Sequence, residues 1–176
     1  MCIRDSRMTT GMGKSMQELL AASVELNVVD GVILPNLKMQ GAEEACAYLD
    51  GEGRCSIHPY RPGICRLFPL GRYYENGGFS YFLQTGECAK ENRSKIKVSK
   101  WIDTPDLTRN QQFTLQWHDL LHAMEERLTG EDEGKQREEN LLLLRLFYLL
   151  PYEGTIDFYT QFTERMEHWN GQNGQI

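Results

Sequence analysis

Two kinds of hydrophobic spacing divide this chain. As far as about residue 100, apolar residues come in short β-branched or aromatic runs broken by Gly, Pro, Asn and Asp; beyond that point they recur at helical intervals. Val24 to Met39 carries two such runs around Asp30-Gly31, a pair suited to the left-handed backbone of a tight hairpin turn, and Pro35 assigns the second strand to an edge. Arg72 to Leu83 repeats the pattern around Asn76-Gly77, with Tyr73, Phe79 and Tyr81 on its faces. Between these hairpins, Cys46 to Leu49 reads as a strand, Asp50 to Gly53 as a turn, and Cys55 to Ile57 as the returning strand. Pro62 then opens a short helical turn containing Ile64, Cys65 and Arg66. Further on, Lys95, Lys97 and Ser99 alternate with Ile96 and Val98, the period of a half-buried strand with a solvated face.

Helices are marked by their ends. Ser15 and Glu18 form an S-x-x-E capping box, and Gly13-Lys14-Ser15 is the loop before it. A phosphate-binding loop is excluded there, because Met8 occupies the position where that loop needs its first glycine. Thr104-Pro105-Asp106 starts a long helix whose stripe Phe113, Trp117, Leu120, Leu121, Met124 and Leu128 ends at Gly130. Its His118-Asp119-Leu120-Leu121-His122 stretch has two histidines on one helical face. No third ligand accompanies them, and the two leucines belong to the core stripe, so a metallohydrolase is not the expected reading. Glu131 to Glu139 reads as a charged linker and Leu141 to Leu150 as a buried helix, too short to cross a bilayer. Thr155 opens a last amphipathic helix through Phe158, Phe162, Met166 and Trp169.

The expected fold is therefore α+β, with short β-hairpins carrying a cysteine cluster and an all-helical C-terminal part. Residues 7–103 form the cysteine-cluster domain, 104–170 the helical part packed on it, and 171–176 a disordered tail. Residues 1–6, M-C-I-R-D-S, read as a translated sequencing adapter and are set aside with Cys2, which implies that the natural N-terminus is missing.

Charge and cysteine usage narrow the function. Residues 1–100 carry 13 basic and 11 acidic side chains, and 101–176 carry 6 and 14. An acidic C-terminal half offers no phosphate-binding face, and the one basic run, Lys90 to Lys100, overlaps the alternating segment, so no nucleic-acid partner is expected. No membrane partner is expected either. Few cysteines for the length and no secretory signal point to a reducing cytoplasm.

The chemistry concentrates between Cys46 and Pro69. Cys46, Cys55 and Cys65 lie there, and from Arg54 to Tyr74 the chain holds Arg54, Arg61, Arg66 and Arg72 without a carboxylate. Thiolates bind soft metals, nearby cations favour the thiolate, and four thiolates on a divalent ion leave negative charge for guanidinium groups to balance. Arg61 and Arg66 are the candidates for that task, with His58 beside the site as an outer partner rather than a ligand. The spacing alone equally allows cysteines that are small buried apolar side chains amid ordinary surface arginines.

The pattern C-x8-C-S-I-H-x2-R-P-x2-C-R-x-F-P resembles the YkgJ family of cysteine-cluster proteins, zinc- or iron-chelating domains, and similarity to its clostridial-type members runs from about Arg7 to Leu128. Cys46, Cys55 and Cys65 match its central cysteines, Arg61, Pro62, Arg66, Phe68 and Pro69 its fixed frame, and Cys88 a further cysteine downstream. The resemblance implies a bacterial metal-binding protein with zinc or an iron–sulfur cluster as cofactor, held by Cys46, Cys55, Cys65 and Cys88. The C-x2-C-x2-C-C run with which members of the family begin is absent from this sequence. Two other functions are compatible: an iron–sulfur-dependent protein-modifying enzyme resembling flagellin lysine methylases, and a structural interaction module with buried cysteines. No catalytic residue stands out.

Overall fold

The computed structural model describes residues 6–86 and 95–173. It is an α+β arrangement of three small antiparallel hairpins followed by helices. Two short helices come first, α1 (Arg7–Met12) and α2 (Met16–Ala22). Gly13, at φ 63°, closes α1, and Ser15 caps α2 through the expected box: its Oγ accepts from Glu18 N–H while the Glu18 carboxylate accepts from Ser15 N–H at 2.8 Å. That reciprocal bonding holds the Glu18 carboxyl below its ordinary range.

β1 (Val24–Val29) and β2 (Val32–Leu37) pair in register from Val24↔Leu37 to Val29↔Val32. Asp30 and Gly31 both have positive φ, as the turn requires. β1 exposes most of its length, while β2 is buried from Leu34 to Leu37 because α5 and α6 lie against it. The third hairpin in chain order, β5 (Leu70–Glu75) with β6 (Gly78–Leu83), turns at Asn76-Gly77 as expected, again with positive φ at both residues. Gly71 in β5 leaves room for the Phe82 ring, which would stand 2.3 Å from a Cβ there.

The middle of the cysteine segment departs from the expected hairpin. β4 is only Ala45–Cys46, paired with β3 (Met39–Gln40), and Cys55 joins Leu49 through a single bridge rather than a strand. The cause is local hydrogen bonding: Leu49 N–H turns back to Cys46 C=O, and Asp50 Oδ1 accepts from Glu52 and Arg54 N–H. His58 N–H likewise closes on Cys55 C=O, leading into a 3-10 turn at His58–Tyr60. Asx and backbone turns thus outcompete the ladder. α3 (Gly63–Leu67) follows, with Pro62 at its N-cap.

The strand expected around Lys95 is instead helix α4 (Val98–Ile102). Val98, Trp101 and Ile102 have i, i+3, i+4 spacing; Ile102 is buried, Trp101 Nε1 donates to Phe68 C=O at 3.1 Å, and Asp103 ends the helix in the left-handed region. These tertiary contacts override the two-residue alternation that Ile96 and Val98 suggested.

α5 (Leu107–Leu128) starts at its N-cap Asp106, which accepts from Arg109 N–H, and buries the expected stripe, with Leu121 at its edge. The charged stretch expected as a linker is largely helix: α6 (Glu133–Leu144) is capped by Asp132, which accepts from Gly134 and Lys135 N–H, with Glu133 in its first turn. A π-helical turn, Arg145–Leu149, continues it. α7 (Phe158–Asn173) begins three residues beyond Thr155, where Asp157 accepts from Thr160 N–H, and extends past Asn170. One apolar core joins the halves, from Met8, Val24 and Leu34 through Trp117 and Leu143 to Phe162 and Trp169. Among the described residues no helix is long and apolar enough to cross a membrane.

Candidate metal centre

Each of the three described cysteines is set by a different piece of backbone. Cys46 sits opposite Met39 in the two-residue ladder, Cys55 opposite Leu49 in the isolated bridge, and Cys65 in the middle of α3 with its N–H donating to Pro62 C=O at 2.9 Å. All three are half-buried, all pack against the same apolar core, and none forms a disulfide with another described residue. Among the described residues, no three Cys, His, Asp or Glu side chains are gathered into a metal-holding group. Cys46, Cys55 and Cys65 alone therefore do not make one. Cys88, the remaining candidate ligand, lies outside the described residues.

The segment that carries Cys46 and Cys55 has little core of its own. Between residues 41 and 62 only Ile57 and Pro62 are buried. It is tied to the rest of the protein by a few specific contacts. The Tyr48 hydroxyl shares a short hydrogen bond with Ser23 Oγ at the end of α2. The Tyr60 ring lies so close over Gly11 of α1 that a Cβ there would stand 2.2 Å from it. Glycine at that position is thus a packing requirement. No sequence motif marks either contact.

The arginines occupy two different environments. Arg54, at the tip of the turn, makes an exposed ion pair with Glu52. Arg61 and Arg66 are drawn inward, and the Nε of each is buried with no acceptor among the described residues. Arg66 directs Nη1 to the C=O groups of Ile102 and Asp103 at the C-terminal end of α4, with the exposed Asp103 carboxylate at 3.5 Å. Burial, then the neighbouring Arg7 and Arg61 charges, hold Arg66 below the ordinary arginine range against the opposing pull of Asp103. Arg7, whose Nη2 donates to Thr104 Oγ1 at 3.3 Å, is a member of this cationic group that the cysteine motif did not reveal. Arg72 stands over the Phe79 and Tyr81 rings, with its guanidinium carbon 5.3 and 5.8 Å from their centroids.

His58 is exposed in its 3-10 turn, beside Cys55 through the backbone bond alone. His118 is held elsewhere: its ring stacks on Tyr74 at 3.7 Å and Nδ1 meets Asp119 Oδ1 at 3.2 Å, with the His122 ring centroid 6.3 Å away. These two histidines gather no third ligand among the described residues.

A family model described as "CxxCxxCC: putative zinc- or iron-chelating domain" matches residues 5–101, more than half of the chain. Neither the curated proteins nor the solved structures contain a match.

Proposed function

The chain belongs to the CxxCxxCC family of zinc- or iron-chelating domains, and we propose that Cys46, Cys55, Cys65 and Cys88 hold its metal, as zinc or an iron–sulfur cluster. The observation that carries this reading is the family match over residues 5–101, which spans all four cysteines; the Nε–H groups of Arg61 and Arg66, buried without an acceptor among the described residues as those of Arg72 and Arg127 are, would suit thiolate sulfur. A buried donor without an acceptor is costly, and metal-bound thiolate sulfur is an acceptor that also carries the opposite charge. The donor set fits the group in kind, since sulfur ligands suit both zinc and iron–sulfur centres.

When bound, the metal supplies the cross-link that this segment lacks. Arg61 and Arg66 balance thiolate charge, and the apolar core behind the cysteines limits water on that side. A thiol set held only half-buried, in a region of turns, would be drawn together by chelation, so that metal affinity and local folding would be one free energy. His58 is an outer hydrogen-bonding partner in this reading.

The test is anaerobic purification followed by elemental analysis and a visible spectrum, with Cys65→Ser alongside. Stoichiometric metal in the wild type and its loss in Cys65→Ser are expected. A brown sample bleached by dithionite identifies iron–sulfur, and a colourless zinc-containing one identifies zinc. Metal content indifferent to Cys65→Ser sinks the ligand assignment.

A further inference from the structure

The two strands of the first hairpin are supported unequally. β2 is backed by α5 and α6, whereas β1 pairs with β2 alone, and among the described residues no third strand joins its outer edge. Leu26, Val28 and Val29 of β1 are 45%, 69% and 48% exposed. An edge strand this apolar ordinarily carries a lysine, a proline or a bulge that blocks further pairing. β1 has none of these: Glu25 is its one charge, and its six residues pair with β2 without a break.

The direction of its free backbone groups follows from β2. In an antiparallel pair, residues alternately point N–H and C=O towards the partner strand and away from it. Ile33 N–H is turned away from β1, since it donates to Asn140 Oδ1 on α6, and Pro35 has no N–H to give. Val28 and Leu26, their cross-strand partners, therefore point their own N–H and C=O to the open edge. The same two residues put their side chains on one face of the strand. Exposed apolar side chains and outward backbone groups thus coincide at Leu26 and Val28.

We propose that β1 pairs antiparallel with β1 of a second copy of the chain about a two-fold axis at Asn27, joining the two hairpins into one four-stranded sheet. In this register Leu26 faces Val28 of the second copy and Val28 faces its Leu26, so each pair exchanges both backbone hydrogen bonds and the four side chains form one apolar strip. Glu25 lies opposite Val29 of the second copy. The two Glu25 carboxylates then stand four residues apart along the seam, about 13 Å, beyond the ~8 Å Debye length of physiological salt. Neighbouring registers are worse. An axis at Glu25 sets those carboxylates directly opposite one another, and an axis at Leu26 draws the buried Val24, beside α2, into the seam. An axis at Val28 shortens the pairing at the turn end of the strand. Such a seam is smaller than a permanent interface, which buries about 1,200–2,000 Å², so the association is reversible. No cysteine lies on β1, and the pairing stands apart from the metal reading.

The test is sedimentation velocity on the full chain between roughly 10 µM and 1 mM, with amide hydrogen exchange measured at both ends of that range. A monomer–dimer equilibrium is expected. The Leu26 and Val28 amides should exchange about ten-fold more slowly or better in the dimer, while those of Glu25 and Asn27, already bonded to β2, change little. Val28→Lys, at a position open to solvent, should keep the circular dichroism of the wild type and stay monomeric throughout. A wild type that is monomeric at the top of the range, a dimer that Val28→Lys leaves intact, or a dimer whose Leu26 and Val28 amides exchange as in the monomer would each overturn the proposal.

Discussion

The cysteine segment and the helical half are built on opposite terms. From Phe113 to Trp169 the helices interlock through aromatic rings: Phe113 meets Phe162 edge-on at 4.7 Å, Trp117 meets Phe147 at 5.1 Å, and Phe147 reaches Trp169 at 6.2 Å. Even the buried cation there is fully used, as Arg165 donates to the C=O groups of Leu146, Leu150 and Pro151 where the π-helical turn leaves carbonyls without helical partners. Residues 41–62 have almost none of this, and in that same neighbourhood Arg61 and Arg66 keep buried donors without acceptors. The helical half is held by its packed rings, even though Trp117 Nε1 and Arg127 Nε are buried there without acceptors among the described residues. The cysteine segment has little packing of its own.

Truncating the helical half should show the largest effect. Phe162→Ala removes a ring that touches Phe113, Trp117, Phe147 and Phe158, and should cost about 3–5 kcal/mol in denaturant unfolding. Because the apolar core is continuous, loss of the β1–β2 hairpin should accompany loss of the helices in one transition. Separate transitions for the two would mean that the halves are joined less closely than their shared core implies.

Asn140 is the sharpest probe of the joint between the halves. Buried on α6, it accepts from Ile33 N–H at 2.6 Å and donates to Gly31 C=O at 3.0 Å, clamping the hairpin turn to the helix. Asn140→Ala leaves those backbone groups unpaired and should cost about 1–3 kcal/mol. Hydrogen exchange should locate the change at the Ile33 amide, and an unchanged rate there would remove Asn140 from this role.

The smallest effect is electrostatic and lies at the start of α7. Thr160 N–H, together with Arg109 Nη2 donating to the Asp157 carboxylate at 2.6 Å, holds that carboxyl below the ordinary aspartate range. A lowered carboxyl stabilises the fold fully at pH values above its unfolded value, and that contribution fades as pH falls through the lowered one. Asp157→Asn should therefore lower the melting temperature slightly at neutral pH, with the difference from wild type shrinking on acidification. A difference that grew towards acid would give the wrong sign.

How much of this was legible depended on whether local chemistry was decisive. Asp30-Gly31 and Asn76-Gly77 announced their hairpins, and Ser15 with Glu18 announced the cap, because each signal acts within a few residues. The start of α6 was obscured by its own charges, although Asp132 ahead of Glu133 is a cap written in the sequence. α4 was hidden because its helical form rests on Trp101 reaching Phe68 and on Ile102 entering the core, contacts that no short window contains. The same limit applies to the candidate site. The motif picked out Cys46, Cys55 and Cys65 and the two inward arginines, but not Arg7 from α1, the Tyr60–Gly11 contact, or the α4 carbonyls that take Arg66 Nη1.

The contrast between the halves is tested most directly by hydrogen–deuterium exchange on the metal-loaded protein before and after chelation. Removing the metal should strip protection from residues 45–62 and α3 while α5 stays protected, since its stability comes from packed rings rather than chelated thiols. Exchange in the cysteine segment that is unchanged after verified metal removal would contradict the account.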